Sequence, residues 1–391
     1  MGKRDWIVTA FIVLVGLGLA GFLQNSLKSG LKPANISTST LSTGAQAVEP
    51  KLTSETLLSG LSNVWDIGFL SDGTALFTER SGTISKIDNN KKVVVYTVND
   101  VVAKGEGGLM GLVVDPDFTT NRFVYACYNT ANDIRVSRWK VDATATALTD
   151  QINIITGMPV NKTTFPGRHS GCRPRFGADN KLWVGTGDVA IGTNPQDPKS
   201  LAGKILRVDR DGKAAEGNLS APFDARIYSY GHRNVQGLAL LNEPKNGVFG
   251  YSVEHGSARD DEINPMKSGN FGRDPIPGYN DNAPMTDKTK FPQAIEAVWS
   301  SGEPTIAPSG ATIITGNKWG TYEGSLVVAV LKAKHLRLFT FDQSGKITAE
   351  KELFKEEFGR IRSAVMGPNN DLYLTTDNGN SSDKITRVTV K

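Results

Sequence analysis

IGFLSDGTALF, residues 67–77, contains two short apolar runs on either side of a Ser-Asp-Gly turn. Apolar runs separated by an Asp-Gly turn are typical of a β-hairpin. The same pattern returns at residues 206–212, 338–345 and 367–374, and helical periodicity is scarce after residue 50. Hairpins repeated over about 340 residues predict an all-β fold, and we expect a six-bladed β-propeller with four strands in each blade.

The composition agrees with a chain that has many turns. There are 41 glycines and 18 prolines among 391 residues. The net charge is +4. The 44 basic and 40 acidic residues are interspersed along the chain, without a basic cluster beside stacking aromatic residues. We therefore expect no nucleic-acid partner.

Two cysteines, Cys127 and Cys172, are too few for a disulfide framework or a cysteine-rich metal site. They could pair in an oxidising compartment, or they could be two buried free thiols. The sequence leaves both alternatives open.

The amino-terminal segment has a composition of its own. Residues 7–23 form an uncharged apolar run behind Lys3 and Arg4. The run is short for a membrane span and long for a signal-peptide core, and no close cleavage site follows it. We expect an anchor or signal segment over residues 1–25, a flexible linker over 26–50 and the propeller domain over 51–391. The propeller would then be exported to the periplasmic or extracellular face and tethered to the membrane.

One loop carries a candidate base. The stretch FPGRHSGCRPRFGADNKLWVGTGD, residues 165–188, places His169 between Gly167 and Gly171 and ends at Asp188 after an apolar run. A histidine on a glycine-flanked loop can face a ligand and act as a general base. The alternative is a surface histidine beside a hairpin.

Other polar clusters follow in the sequence. Residues 231–237 and 254–262 are short polar segments, and Lys332, Arg360 and Arg362 form a basic set near the carboxyl end. Guanidinium and amide groups offer paired donors to a planar, carboxylated ligand. Each cluster could equally be a solvated turn with surface ion pairs.

The order of several motifs resembles the glucose/sorbosone dehydrogenase family, the soluble-type sugar dehydrogenases that use pyrroloquinoline quinone (PQQ) on a six-bladed propeller. The resemblance covers about residues 57–388. It rests on the motifs at residues 72–80, 105–118, 169–176, 229–239, 254–264 and 306–310.

The resemblance implies a role for particular residues. His169 would be the general base, with Asp188 orienting it, during oxidation of an aldose sugar or a related alcohol. PQQ and calcium would be the cofactors, and an external electron acceptor of unknown identity would complete the cycle. Cofactor contacts would come from Arg233, Asn234, Gln236, His255, Asp261, Lys332, Arg360 and Arg362. Calcium would be held by the main chain at Gly256 and Ser257, and a second, structural calcium by Glu262 and the backbone near Phe271.

Several positions depart from the family pattern: His255, Ser257, Cys172, Ser363 and residues 270–273. They are expected near the rim of the cleft and bear on the substrate more than on the chemistry. Two other functions are compatible with a propeller: a calcium-dependent hydrolase or lactonase, and a binding propeller without catalysis. A hydrolase would place several carboxylates on one metal, whereas this chain offers an Arg/Lys/Asn/Gln set suited to an anionic cofactor.

Overall fold

The structure is a computed structural model and describes residues 49–163 and 165–391. In this part of the chain the strands form six sheets, which are the blades of a six-bladed β-propeller. The predicted fold class is confirmed. The predicted anchor at residues 7–23 and nearly all of the predicted linker lie outside the described residues, and the domain limits stay a prediction. No helix within the described residues has the length and apolar character needed to cross a membrane.

The first three blades follow the chain in order after the strand β1 (Leu52–Leu61). Blade 1 contains β2 (Val64–Phe69), β3 (Ala75–Glu79), β4 (Thr83–Asp88) and β5 (Lys91–Thr97). Blade 2 contains β6 (Leu109–Val114), the short helix α1 (Phe118–Asn121), β7 (Phe123–Asn129), β8 (Ile134–Val141) and β9 (Leu148–Met158). Blade 3 contains β10 (Gly171–Phe176), β11 (Leu182–Thr186), β12 (Lys204–Val208) and β13 (Ile227–Tyr230).

The remaining blades complete the ring. Blade 4 contains β14 (Val235–Lys245), β15 (Val248–Glu254), β16 (Glu262–Pro265) and, beyond the short β17 (Gly269–Asn270) that joins blade 3, β18 (Trp299–Ser300). Blade 5 contains β19 (Pro308–Ile313), β20 (Leu326–Val330), β21 (His335–Phe341) and β22 (Ile347–Leu353). Blade 6 contains β23 (Ile361–Met366), β24 (Leu372–Thr376), β25 (Asp383–Val390) and β1. Two 3₁₀ turns lie at Asn317–Tyr322 and Pro368–Asn370.

The ring is closed by pairing of the first strand of the propeller sequence with the last one. β1 pairs antiparallel with β25, from Leu52 opposite Val390 to Leu61 opposite Asp383. Blade 6 therefore takes one strand from the beginning of the propeller and three from its end. Because the chain continues from β1 directly into β2 of blade 1, this pairing closes the ring between the last blade and the first.

The hairpin at residues 67–77 forms as the sequence predicts. β2 and β3 pair with Phe69 opposite Ala75. Gly73 has φ +87°, a conformation that glycine adopts without strain, and Asp72 accepts a hydrogen bond of 2.8 Å from the Thr74 amide. The apolar runs supply buried core residues such as Phe77, whose side chain is completely covered.

A buried ion network ties the innermost strands of several blades together. Asp66 on β2 lies 2.9 Å from Arg173 and 2.8 Å from Arg175, both on β10. Its carboxylate also accepts hydrogen bonds from the Leu112 amide on β6 and the Ser363 hydroxyl on β23. Burial alone would raise the pKa of Asp66, but the two arginines outweigh it and lower that pKa to about 2. One carboxylate thus links blades 1, 2, 3 and 6.

The two cysteines form a disulfide. Cys127 on β7 is bonded to Cys172 on β10, with the Cα atoms 6.1 Å apart. The bond joins blades 2 and 3. Of the two alternatives left open by the sequence, the structure shows the pair and not the free thiols.

Candidate active site

His169 lies in the loop that leads into β10 and is only 5% exposed. It is therefore not the surface histidine of the alternative interpretation. Its φ of +53° lies in the left-handed region, where a residue other than glycine is held by its surroundings.

Asp188, at the end of β11, contacts the inner nitrogen of this imidazole. Its Oδ1 lies 2.8 Å from His169 Nδ1 and also accepts a hydrogen bond of 2.8 Å from the Ala190 amide. Tyr279 joins the pair, because its hydroxyl donates to Asp188 Oδ2 at 2.8 Å and lies 3.0 Å from His169 Nδ1. The structure thus places the predicted base and its orienting carboxylate together, and it adds a tyrosine.

The outer nitrogen of His169 faces a guanidinium. Arg168 Nε donates to His169 Nε2 at 3.1 Å, and Arg168 Nη2 is paired with Asp281. The other oxygen of Asp281 lies 3.0 Å from Arg233 Nη2. One half-exposed carboxylate therefore bridges two arginines beside the candidate base.

A cavity of about 560 Å³ opens next to these groups. Its lining combines glycines, two arginines and amide or imidazole side chains: Gly105, Glu106, Phe165, Pro166, Arg168, His169, Arg233, Asn234, His255 and Gly256. The lining residues come from connections in blades 1 to 4, since each follows or precedes a strand end. The arrangement is the usual one for a propeller site, in which loops of several blades meet at one end of the ring.

Glu106 organises the amide donors of the cavity. Its carboxylate accepts hydrogen bonds from Asn234 Nδ2 at 3.1 Å, from Gln236 Nε2 at 3.3 Å and from the Ser170 amide at 2.8 Å. These contacts hold two of the predicted cofactor residues in a common orientation. They also connect the loop of His169 to β14.

The three basic residues near the carboxyl end have different partners in the structure. Arg362 is buried, forms an ion pair with Asp377 and donates to Gln236 Oε1 at 3.2 Å, so it borders the amide cluster. Arg360 Nε donates to the Asp377 carbonyl at 3.0 Å, and Lys332 Nζ donates to Thr305 at 3.2 Å. None of these three basic residues is among those that line the cavity.

The segment around His255 is held by a carboxylate. Asp261 accepts hydrogen bonds from the Gly256 amide at 2.8 Å, the Ile306 amide at 2.6 Å and the Ala307 amide at 2.8 Å. His255 Nε2 donates to the Pro308 carbonyl at 2.7 Å. Asp261 therefore shapes the turn at the cavity wall, and a direct cofactor contact by Asp261 stays a prediction.

Glu262 belongs to a buried polar cluster, against which Phe271 packs. Asn264 Nδ2 donates to Glu254 at 2.6 Å and to Glu262 at 3.2 Å. Glu254 also contacts His232 Nδ1 at 3.0 Å, and the ring of Phe271 lies 4.4 Å from that of His232. Burial, and next the charge of Glu254, raise the pKa of Glu262 to about 8.

Within the described residues no group of three or more His, Cys, Asp or Glu side chains is placed to hold a metal ion. The predicted calcium ligands at Gly256 and Ser257 are main-chain oxygens, so this observation does not bear on them. The calcium sites stay a prediction.

Sequence reasoning did not assign four side chains of the site: Glu106, Arg168, Tyr279 and Asp281. Glu106 lies within the motif at residues 105–118, and Arg168 directly precedes His169, so position along the chain could have suggested both. Tyr279 and Asp281 lie on the long segment between β17 and β18, where no local pattern marks them. Their role depends on tertiary contacts with residues about a hundred positions away.

The chain is similar in sequence to proteins named as sugar dehydrogenases. A sequence model of the family described as glucose / sorbosone dehydrogenase matches residues 61–387. The aldose sugar dehydrogenase of Escherichia coli is 29% identical, with 89% of this chain and 95% of the relative covered. Quinoprotein glucose dehydrogenase B of Acinetobacter calcoaceticus is 25% identical, with 87% and 88% covered.

A solved structure agrees with the sequence relatives. The PQQ-bound aldose sugar dehydrogenase of Streptomyces coelicolor matches with a TM-score of 0.73 and 29% identity, and covers 88% of this chain and all of that one. The resemblance noted in the motifs is thereby confirmed over nearly the whole described chain. The propeller, with its buried histidine facing a cavity, belongs to the glucose/sorbosone dehydrogenase family.

Proposed function

We propose that the protein oxidises aldose sugars, or related alcohols, with PQQ as hydride acceptor and His169 as general base. The observation that carries the proposal is the buried His169–Asp188 pair at the edge of the cavity that also contains Arg233 and Asn234. The names of the E. coli, A. calcoaceticus and S. coelicolor relatives support the same reaction class.

The donor set of the cavity suits an anionic, planar cofactor. Arg233 is 3% exposed, and its Nε has no hydrogen-bond partner, so a buried donor beside the cavity is free to bind a ligand. Its Nη2 is paired with Asp281, a partly exposed carboxylate that a ligand carboxylate could replace. Asn234 and Gln236 follow it on the same segment with their amide groups held by Glu106, while Arg362 supplies a further buried positive charge.

His169 Nε2 is the atom that would take the proton of the substrate hydroxyl. Nδ1 is engaged by Asp188 and Tyr279, which leaves Nε2 as the nitrogen that faces Arg168 and the cavity. PQQ, when bound, supplies the two-electron oxidant that accepts the hydride from the sugar carbon. Asp188 stabilises the imidazolium formed when His169 takes the proton, because its charge lies 2.8 Å away in a dry environment.

Calcium is part of the proposal. The main-chain oxygens of Gly256 and Ser257 would hold it at the cavity wall, and it would supply Lewis-acid polarisation to a bound ligand. Glu262 and the backbone at Phe271 would hold a second, structural ion. Glu262 and Glu254 are linked through Asn264, and oxygen ligands of this kind suit calcium.

We further propose that the propeller works outside the cytoplasm. The Cys127–Cys172 disulfide supports this location, since disulfides persist in oxidising compartments. The apolar run at residues 7–23 would tether the protein to the membrane, and electrons would leave to an external acceptor.

Reconstitution of the full chain with PQQ and calcium, followed by dye-linked assay on a panel of aldoses, tests the function. We expect oxidation that requires PQQ and is lost when calcium is chelated. Lactone hydrolysis that needs calcium but not PQQ would point to the hydrolase alternative. PQQ binding without oxidation of any sugar or alcohol would point to a binding propeller.

A further inference from the structure

We propose that Tyr279 is a positioning residue that holds His169 in the tautomer required of a base. The effect of Tyr279 on turnover rests on the proposed function, whereas its effect on the His169 imidazole does not.

The hydrogen-bond partners of His169 define its tautomer. Arg168 Nε is a donor without acceptor capacity, and it lies 3.1 Å from His169 Nε2. His169 Nε2 must therefore accept, so the ring proton is on Nδ1. That proton points to the Asp188 carboxylate at 2.8 Å, with the oxygen of Tyr279 at 3.0 Å as a second neighbour.

Tyr279 donates a hydrogen bond to the carboxylate oxygen of Asp188 that His169 does not contact. Oδ1 of Asp188 accepts from His169 and the Ala190 amide, and Oδ2 accepts from the Tyr279 hydroxyl at 2.8 Å. Asp188 is fully buried, so loss of that donor would leave a carboxylate oxygen in need of a partner. Rotation of the carboxylate toward another donor would then release the imidazole.

The Tyr279 hydroxyl is suited to remain a donor. Burial, and next the charge of Asp188, raise the pKa of Tyr279, so the phenol keeps its proton over the whole working pH range. Arg168 and Arg273 also lie near its ring, with guanidinium carbons 5.7 and 5.9 Å from the ring centre.

The position of Tyr279 is set by a buried arginine. Arg273 is completely covered and donates to the carbonyls of Asn280, Ala283 and Pro284, which folds the segment back on itself immediately after Tyr279. The segment also touches the loop after Asp188, because a Cβ added at Gly192 would overlap the Gly278 carbonyl. Tyr279 is therefore held at a defined place against the base.

The test compares Tyr279→Phe with Tyr125→Phe. Tyr125 donates its hydroxyl to Asp115 at 2.9 Å, so the control removes the same kind of bond to a buried carboxylate, on β7 and away from the cavity. Both variants of the full chain are labelled with ¹⁵N-histidine, and the ring nitrogens of the four histidines are followed by long-range ¹H–¹⁵N correlation spectra without cofactor.

In Tyr279→Phe we expect His169 to change from one tautomer to a mixture, while Tyr125→Phe leaves the spectrum of His169 unchanged. With PQQ and substrate, kcat should fall about ten- to a hundredfold with KM nearly constant, the range expected for one hydrogen bond to a charged group. An unchanged His169 tautomer in Tyr279→Phe would overturn the proposal. Absence of sugar oxidation in the wild type would instead count against the proposed function, since the spectra decide the role of Tyr279 independently.

Discussion

Oδ1 of Asp188 lies 2.8 Å from Nδ1 of His169, and both side chains are buried. A carboxylate in this position orients the ring and favours the protonated imidazole once a proton arrives at Nε2. The same carboxylate is anchored by Tyr279 and the Ala190 amide. The base is thus held by a network and not by a single contact.

His169→Gln should abolish most turnover and leave PQQ binding nearly unchanged. Glutamine retains a polar side chain of similar reach but accepts no proton at neutral pH, so kcat should fall by about two to four decades. Dye-linked kinetics and calorimetric PQQ titration measure the two effects. His335→Gln is the matched control, because His335 is buried on β21 and contacts the Ala333 carbonyl. Full PQQ-dependent turnover in His169→Gln would place the base elsewhere.

Asp281→Asn should strengthen PQQ binding. Asp281 pairs with both Arg168 and Arg233 and thereby competes with the carboxylates of the cofactor. The Asp281 side chain is 40% exposed, so its removal should have a modest effect. We expect the Kd for PQQ, measured by calorimetry, to fall about two- to fivefold. Asp274→Asn on the same segment, which removes only a contact with Lys290, should not change Kd. Weaker binding in Asp281→Asn would show that Asp281 helps to hold the cofactor.

Arg233→Ala should weaken PQQ binding by about 1.5–3 kcal/mol, the scale of a charge-assisted hydrogen bond. Arg233 lines the cavity with a free Nε, whereas Arg360 is bonded to the Asp377 carbonyl outside the lining. The PQQ affinities of Arg360→Ala and Lys332→Ala therefore show whether the bound cofactor reaches these two residues outside the cavity lining. Equal PQQ affinity in wild type and Arg233→Ala would remove Arg233 from the binding site.

Asp66→Asn should destabilise the propeller by about 3–5 kcal/mol, because it leaves Arg173 buried with too little negative charge. The folded-state pKa of Asp66, about 2, is below the ordinary value of 3.8, so its stabilisation is present above pH 4 and is lost as the pH falls toward 2. Denaturant unfolding between pH 2 and 7 should show a weaker acid dependence in Asp66→Asn than in wild type. Asp150→Asn, at an exposed position, is the control and should change neither the free energy of unfolding nor its dependence on pH. An unchanged acid dependence in Asp66→Asn would contradict the assignment.

Much of the fold was predictable from local sequence. Hairpins such as residues 67–77 place interacting residues a few positions apart, so alternation of apolar residues and turn residues is visible in the sequence. Family motifs likewise marked His169, Asp188 and Arg233, which the structure brings to one cavity or its edge.

What the sequence determined by itself is therefore the all-β class and the repeated hairpin, which depend on short-range patterns, and, through its resemblance to family motifs, the identity of the central candidate residues. Only the tertiary structure decided that Cys127 pairs with Cys172, that Tyr279 contacts His169 and that Asp281 pairs with the neighbouring Arg168. Ring closure brings loops of different blades to one end of the propeller, and contacts between such loops leave no periodic trace along the chain.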